Sequence, residues 1–150
     1  MSQNSSELRP FHVAVPVNDL DRARDFYGRL LGCTEGRSDR TWVDFNLFGH
    51  QFVCHLQASA SGSPSLHNEV DGDQVPVPHY GVVLRMTEWR ALADRLHKAG
   101  VEFVIQPHIR FAGRAGEQGT LFLLDPSGNA LEFKGLDDLD RLFTPHNATG

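Results

Sequence analysis

The sequence predicts an α+β protein made of two βαβββ modules. Three observations predict it: an internal repeat, a hydrophobic period that alternates between two and 3.6 within each repeat, and a Ser/Gly/Pro/Asp-rich stretch separating the repeats. In the first repeat, residues 11–17 (FHVAVPV) alternate as a strand, with Phe11, Val13, Val15 and Val17 on one face. Asn18 follows as a candidate N-cap, then the helical stripe Leu20, Ala23, Phe26, Tyr27 and Leu30, and Gly32 where a C′ glycine stops a helix. In the second repeat, residues 79–86 (HYGVVLRM) form the strand, Thr87 the N-cap, and Trp89, Leu92, Ala93 and Leu96 the stripe that ends at Gly100. The spacing from His12 to Gly32 differs by one residue from that between His79 and Gly100.

Residues 40–48 and 50–57 are the strands after the first helix, joined at Gly49. Residues 101–105, 119–125 and 129–134 are those after the second, the last two joined by Pro126, Ser127 and Gly128. An irregular loop, 106–118, lengthens the second half. The expected organisation is an N-terminal tail (1–10), a first module (11–58), a linker without regular structure (59–78), a second module (79–135), and a C-terminal segment (136–150) with a short helix at 137–143.

Composition narrows the function. The formal charge is −5, with 19 acids against 14 Lys and Arg, and no basic cluster offsets it, which argues against nucleic acid as a partner. The longest apolar run, Leu121 to Leu124, is too short to span a membrane. Residues 1–10 are polar and lack the apolar core of a secretory signal, so a cytoplasmic location is expected. Cys33 and Cys54 form no CxxC and are expected to be buried thiols.

Chemistry concentrates at repeat-related positions. His12 and His79 open the first strand of each half, and His55 and Glu132 are expected to correspond near the end of each last strand. Imidazoles with a carboxylate are a ligand set for Zn, Fe(II), Mn or Ni, and two His with one carboxylate leave positions open. A strand histidine is more commonly a hydrogen-bonded structural residue. Glu132, between Leu131 and Phe133, needs a partner if buried.

The stretches FHVAVPVNDLDRARDFYGRLLG, HYGVVL and LDPSGNALEFK resemble the vicinal oxygen chelate superfamily, which includes glyoxalase I, extradiol dioxygenases, fosfomycin-resistance transferases and bleomycin-resistance proteins. The resemblance covers residues 11–135. It implies an open, cupped, barrel-like mixed sheet around a divalent metal, held by His12, His79 and Glu132, with Fe(II) favoured and Zn, Mn or Ni as alternatives. Glyoxalase I has a glutamate near the place of His55, and an extradiol dioxygenase has an acid/base histidine in that region. Residue 122, where the dioxygenases carry a tyrosine, is Phe. On balance the resemblance implies an extradiol-dioxygenase-like oxidoreductase acting on a small oxygen-chelating substrate, with His55 as the catalytic acid/base. A glyoxalase I-like lyase and a metal-free bleomycin-resistance-type binder are the alternatives. His108, Arg110 and Arg114 are the candidate substrate-binding residues, since guanidinium suits a carboxylate or phosphate. Superfamily members commonly pair modules within or between chains, so a C2 homodimer is expected.

Overall fold

The computed structural model describes residues 7–60, 62 and 64–145; both extreme termini, with His146, lie outside the described residues. The chain divides into two compact units, Met1–Ala60 and Ser61–Gly150. Each holds a four-stranded mixed sheet with one helix, so the α+β class and the βαβββ plan are observed.

In the first unit, β1 (His12–Val17) leads into an α-helical turn, α1 (Leu20–Ala23), which widens into a π-helix over Arg24–Leu30. Asp19 rather than Asn18 is the N-cap, its side chain accepting from Arg22 N. Asn18 instead donates to Ala60 O at 2.8 Å. Three strands follow: β2 (Thr34–Asp39), β3 (Trp42–Leu47) and β4 (His50–Leu56). The sheet order is β1-β4-β3-β2, with β1 parallel to β4 and the other pairs antiparallel. The edge strand β2 is exposed at all six positions, so no apolar alternation betrays it in the sequence. Phe48 and Gly49, both at positive φ, make the two-residue turn between β3 and β4.

One face of this sheet carries Val15, Val17, Phe45, Phe52 and Cys54 into the core. Tyr27 packs there, its ring 4.9 Å from Phe26 and Phe52 and 5.4 Å from Phe45. Offset and edge-to-face pairs of this kind add about 0.5–1.5 kcal/mol each beyond area burial. Phe11, expected on the buried face, precedes the strand and is exposed.

The second unit begins with regular structure inside the segment expected to be an irregular linker. Strands β5 (Leu66–Val70) and β6 (Asp73–Val77) form an antiparallel hairpin across the two-residue turn Asp71-Gly72, both at positive φ. The module proper runs β7 (Tyr80–Arg85), α2 (Met86–Lys98), β8 (Phe103–Arg110), β9 (Gln118–Leu124) and β10 (Ala130–Leu136). Its order, β7-β10-β9-β8, repeats that of the first unit strand for strand. Helix α2 starts one residue ahead of Thr87, with Arg85 at the N-cap position and its backbone N–H donating to Glu88 Oε1 at 3.3 Å.

Trp89 anchors α2 to the sheet. Its indole N–H donates to Phe133 O at 2.9 Å, and its ring lies over Gly119 and Gly135, which face each other on β9 and β10. A Cβ at Gly119 would sit 2.8 Å from the indole, and one at Gly135 would sit 2.6 Å from Trp89 Cβ. Close helix–sheet approach therefore requires both glycines. Strand β8 continues through Arg110, so the irregular segment expected at 106–118 shrinks to 111–117 and places His108 and Arg110 on a strand. The C-terminal helix expected at 137–143 is a single 3-10 turn, Leu139–Arg141. Among the described residues, no helix is long and apolar enough to cross a membrane. Cys33 and Cys54 are both buried, and neither is in a disulfide.

Candidate functional site

The polar face of the second sheet is built by strand alternation. Glu132 lies opposite Gly81 on β7 and Phe122 on β9, while Thr120, on the same face as Phe122, lies opposite His108 on β8. The carboxylate of Glu132 is 4% exposed, and its two oxygens have different surroundings. Oε1 accepts from Thr120 Oγ1 at 3.2 Å and lies 3.6 Å from Arg110 Nη1 and 3.9 Å from Lys134 Nζ. Oε2 faces His79 Nε2 at 3.2 Å. One oxygen is thus anchored by protein donors while the other meets an imidazole.

His79 is held from two further sides. Its Nδ1 is 2.7 Å from Pro76 O, which can only accept, so that nitrogen carries hydrogen and Nε2 is the variable one. Its ring stands edge-on to Phe122, with centroids 5.0 Å apart. The hydrogen bond to Glu132 raises the His79 pKa against the opposing effect of partial burial, and the Pro76 carbonyl helps. Burial pushes Glu132 upward, but the His79 hydrogen bond and the nearby charges of Lys134, His79 and Arg110 outweigh it and hold the carboxyl below its ordinary value. A shallow cavity of ≈ 160 Å³ opens here, lined by His79, Gly81, Val82, Val83, Glu132 and Lys134.

This pair fits a divalent cation chemically. His79 Nε2 and Glu132 Oε2 would be its donors, in place of the proton that the imidazole otherwise shares, and the Pro76 contact is the kind of outer hydrogen bond that would orient a metal-bound histidine. Among the described residues, no group of three or more His, Cys, Asp and Glu is gathered closely enough to hold a metal by itself. The second unit offers two donors.

In the first unit, His12 is exposed on β1, and its Nδ1 is 2.8 Å from Gln51 Oε1. Gln51 Nε2 donates to Oδ2 of the buried Asp44 at 3.0 Å. The registers correct one expectation. If His12 and His79 correspond, then Ala14 corresponds to Gly81, and the strand partner of Ala14 is Val53, whereas that of Gly81 is Glu132. Val53 therefore takes the place of Glu132, and His55, opposite Pro16, corresponds to Lys134, opposite Val83. Because side chains alternate with period two, the two-residue offset keeps His55 on the face of Gln51 and Val53, about 6–7 Å further along the strand. It is exposed there.

The three candidate substrate residues all meet the hairpin β5–β6. Asp73 Oδ2 is 3.0 Å from both His108 Nε2 and Arg110 Nη2. Asp71 accepts from Phe111 N at 2.8 Å and pairs with Arg114 Nη2 at 3.0 Å. Arg110 is 2% exposed and bridges Asp73 to Glu132, and its Nε has no hydrogen-bond partner among the described residues. Arg114 is exposed, beside the Phe111 ring, and serves Asp71. Asp71 and Asp73 escaped notice in the sequence. The signal was there: Asp-Gly between alternating residues marks a tight hairpin turn.

A family model described as the Glyoxalase/Bleomycin resistance protein/Dioxygenase superfamily matches residues 9–133. No curated protein sequence matches the chain. Among solved structures, a glyoxalase/bleomycin resistance protein/dioxygenase from Alicyclobacillus acidocaldarius is 34% identical, with 95% of this chain and 99% of that one covered and a TM-score of 0.75. Lactoylglutathione lyase from Agrobacterium tumefaciens is 17% identical, covering 95% of this chain and 100% of that one, with a TM-score of 0.63. The fosfomycin resistance protein FosX from Listeria monocytogenes, complexed with Mn(II) and sulfate, is also 17% identical, covering 92% and 95%, with a TM-score of 0.63. At 17% identity these two share the fold.

Proposed function

The chain belongs to the glyoxalase/bleomycin resistance protein/dioxygenase superfamily, and from that premise we propose that it is a divalent-metal-dependent enzyme acting on a small substrate that chelates the metal through neighbouring oxygens. The observation that carries this reading is the buried Glu132 facing His79 Nε2 at 3.2 Å while Pro76 O holds Nδ1. His79, Glu132 and His12 would hold the metal, Fe(II) by preference, with Zn, Mn or Ni as alternatives. Superfamily members of this fold include a Mn(II)-bound protein. When bound, the metal supplies Lewis-acid charge to adjacent substrate oxygens.

The rest falls to this chain's own side chains. Thr120 and Arg110 anchor Glu132 through Oε1, leaving Oε2 for the metal. His108, which is partly exposed, is the donor for an anionic group on the substrate, while the buried Arg110 holds Asp73 and Glu132 behind it. His55 is the acid/base. Val53, at the place corresponding to Glu132, cannot ligate. That favours a three-donor set with open positions, and hence an extradiol-dioxygenase-like oxidoreductase over a glyoxalase I-like lyase with an additional carboxylate. The test is metal analysis of protein purified without chelator, followed by assay of Fe(II)-loaded protein on catechols and on hemithioacetals. Ring cleavage of a catechol supports the reading. Turnover of a hemithioacetal alone replaces it with the lyase, and absence of any metal uptake by the intact protein refutes both.

A further inference from the structure

We propose that Asp44 and Gln51 are positioning residues that fix His12 in a single neutral tautomer, with hydrogen on Nδ1 and a bare Nε2 lone pair available as a metal donor; the metal part of this inference rests on the function proposed above. The chain of hydrogen bonds has a direction that chemistry dictates. Asp44 is 7% exposed and, as a carboxylate, only accepts. The Gln51 group that meets it at 3.0 Å must therefore be the NH₂. The other end of the amide, Oε1, is then an acceptor pointed at His12 Nδ1, 2.8 Å away. An acceptor at that distance requires Nδ1–H, which leaves Nε2 unprotonated in the neutral ring. Strand register makes the arrangement possible: His12 and Gln51 are direct partners across β1 and β4, and Asp44, opposite Val53 on β3, is on their face.

His79 reaches the same tautomer by a different route, since its Nδ1 meets the backbone carbonyl of Pro76. Two histidines at repeat-related positions, oriented through unrelated acceptors, both present Nε2. A buried carboxylate whose role was only to fill the sheet would need no glutamine relay to an exposed imidazole. Outer partners of metal-bound histidine typically contribute 10–100-fold to metal affinity.

The experiment is ¹⁵N NMR of the histidine ring nitrogens in metal-free full-length protein at about pH 8.5, above the ordinary imidazole value, together with Zn(II) titration of the same samples. Wild type is expected to show Nδ1–H and bare Nε2 for His12. Gln51→Leu and Asp44→Asn are expected to mix the tautomers and weaken Zn(II) binding about 10–100-fold. The double substitution Asp44→Asn with Gln51→Glu restores an acceptor facing His12, because the amide introduced at 44 donates to the carboxylate introduced at 51. It is expected to recover the tautomer and most of the affinity, which a merely structural role would not produce. Nε2–H in the wild type, tautomers that do not respond to either single substitution, or tautomers that shift with Zn(II) affinity unchanged would each overturn the inference. If the intact wild type binds no Zn(II), the metal part falls with the proposed function, and the tautomer lock is still decided by the NMR spectra. Should a single variant fail to fold, the double substitution and the wild-type spectrum decide.

Discussion

Replacing Glu132 with glutamine removes one buried negative charge at nearly constant volume. In the metal-free protein that charge faces Thr120 at 3.2 Å, Arg110 at 3.6 Å, Lys134 at 3.9 Å and His79 at 3.2 Å. Breaking a buried ion pair by removing one partner costs about 3–5 kcal/mol. Relief is available here, since Arg110 keeps Asp73 at 3.0 Å, His79 can release its proton, and the partly exposed Lys134 can turn to water. The loss should therefore lie at the lower end, about 3 kcal/mol. For a chain of this length each kcal/mol moves Tm by about 2–4 °C, so Glu132→Gln should melt roughly 6–12 °C below wild type in EDTA. A second component appears on adding metal. At a free concentration of 100 times Kd, wild type gains about 2.7 kcal/mol from binding, and the variant should gain none. Differential scanning calorimetry with and without Zn(II) separates the two. A variant melting within 2 °C of wild type in chelator would show that the carboxylate does not offset the buried Arg110. Full metal stabilisation in the variant would remove Glu132 from the ligand set.

His55→Ala should leave both metal content and Tm nearly unchanged, because the side chain is exposed, while turnover of an identified substrate falls about 10²–10⁴-fold; loss of metal on this substitution would make it a ligand instead. Gly135→Ala drives a methyl into Trp89 and should cost about 1–3 kcal/mol in chemical denaturation, with Gly119→Ala behaving alike; a neutral result would mean that α2 is not seated as described. His79 is raised in the folded state, chiefly by its hydrogen bond to Glu132, so its contribution to metal-free stability is fully present below about pH 6.5 and is lost as pH rises through the folded value. Thermal melts in chelator should show that decline, and Glu132→Gln should flatten it. Sedimentation at micromolar concentration should show a homodimer, and a monomer alone would refute the expected assembly.

The repeat was legible because each half states it twice, once in apolar period and once in glycine placement. Val15 and Val17 alternate as expected, and Trp89, Leu92 and Leu96 form the buried stripe of α2. What escaped was carried by elements without an apolar face. Strand β2 (TEGRSD) is exposed throughout and belongs to the sheet only through backbone pairing with β3. The hairpin β5–β6 was hidden by its Ser/Gly/Pro-rich surroundings, although its Asp-Gly turn is a strong local signal. Residues His79 and Glu132 could be picked out by type and position, and the structure brings them together. Strand correspondence could not, because a two-residue offset preserves the face and so leaves the apolar pattern unchanged. That is why His55 looked equivalent to Glu132 when Val53 holds that place.

The two sheets share one topology but carry different sets of polar groups. In the second, acid and base are packed densely: Glu132, Asp73, Arg110, His79 and Lys134 form a continuous chain of charge contacts around a carboxylate that is 4% exposed. In the first, the corresponding strands carry Val53 in place of the glutamate and reserve their buried acid, Asp44, for a glutamine that meets an exposed histidine. A buried charge is costly unless compensated, so the charge-bearing ligand is expected in the sheet that supplies the compensating cations. The other sheet can contribute a neutral imidazole at little cost, needing only one acceptor to fix its tautomer. This asymmetry argues for one carboxylate and two histidines rather than two carboxylates in the metal set. It also predicts that Val53→Glu, which would bury a second carboxylate opposite Asp44, lowers metal-free stability by several kcal/mol, on the scale of a buried unpaired charge. Calorimetry in chelator reads that loss, and a Val53→Glu protein as stable as wild type would show that the first sheet tolerates the charge and that its single-histidine contribution has another cause.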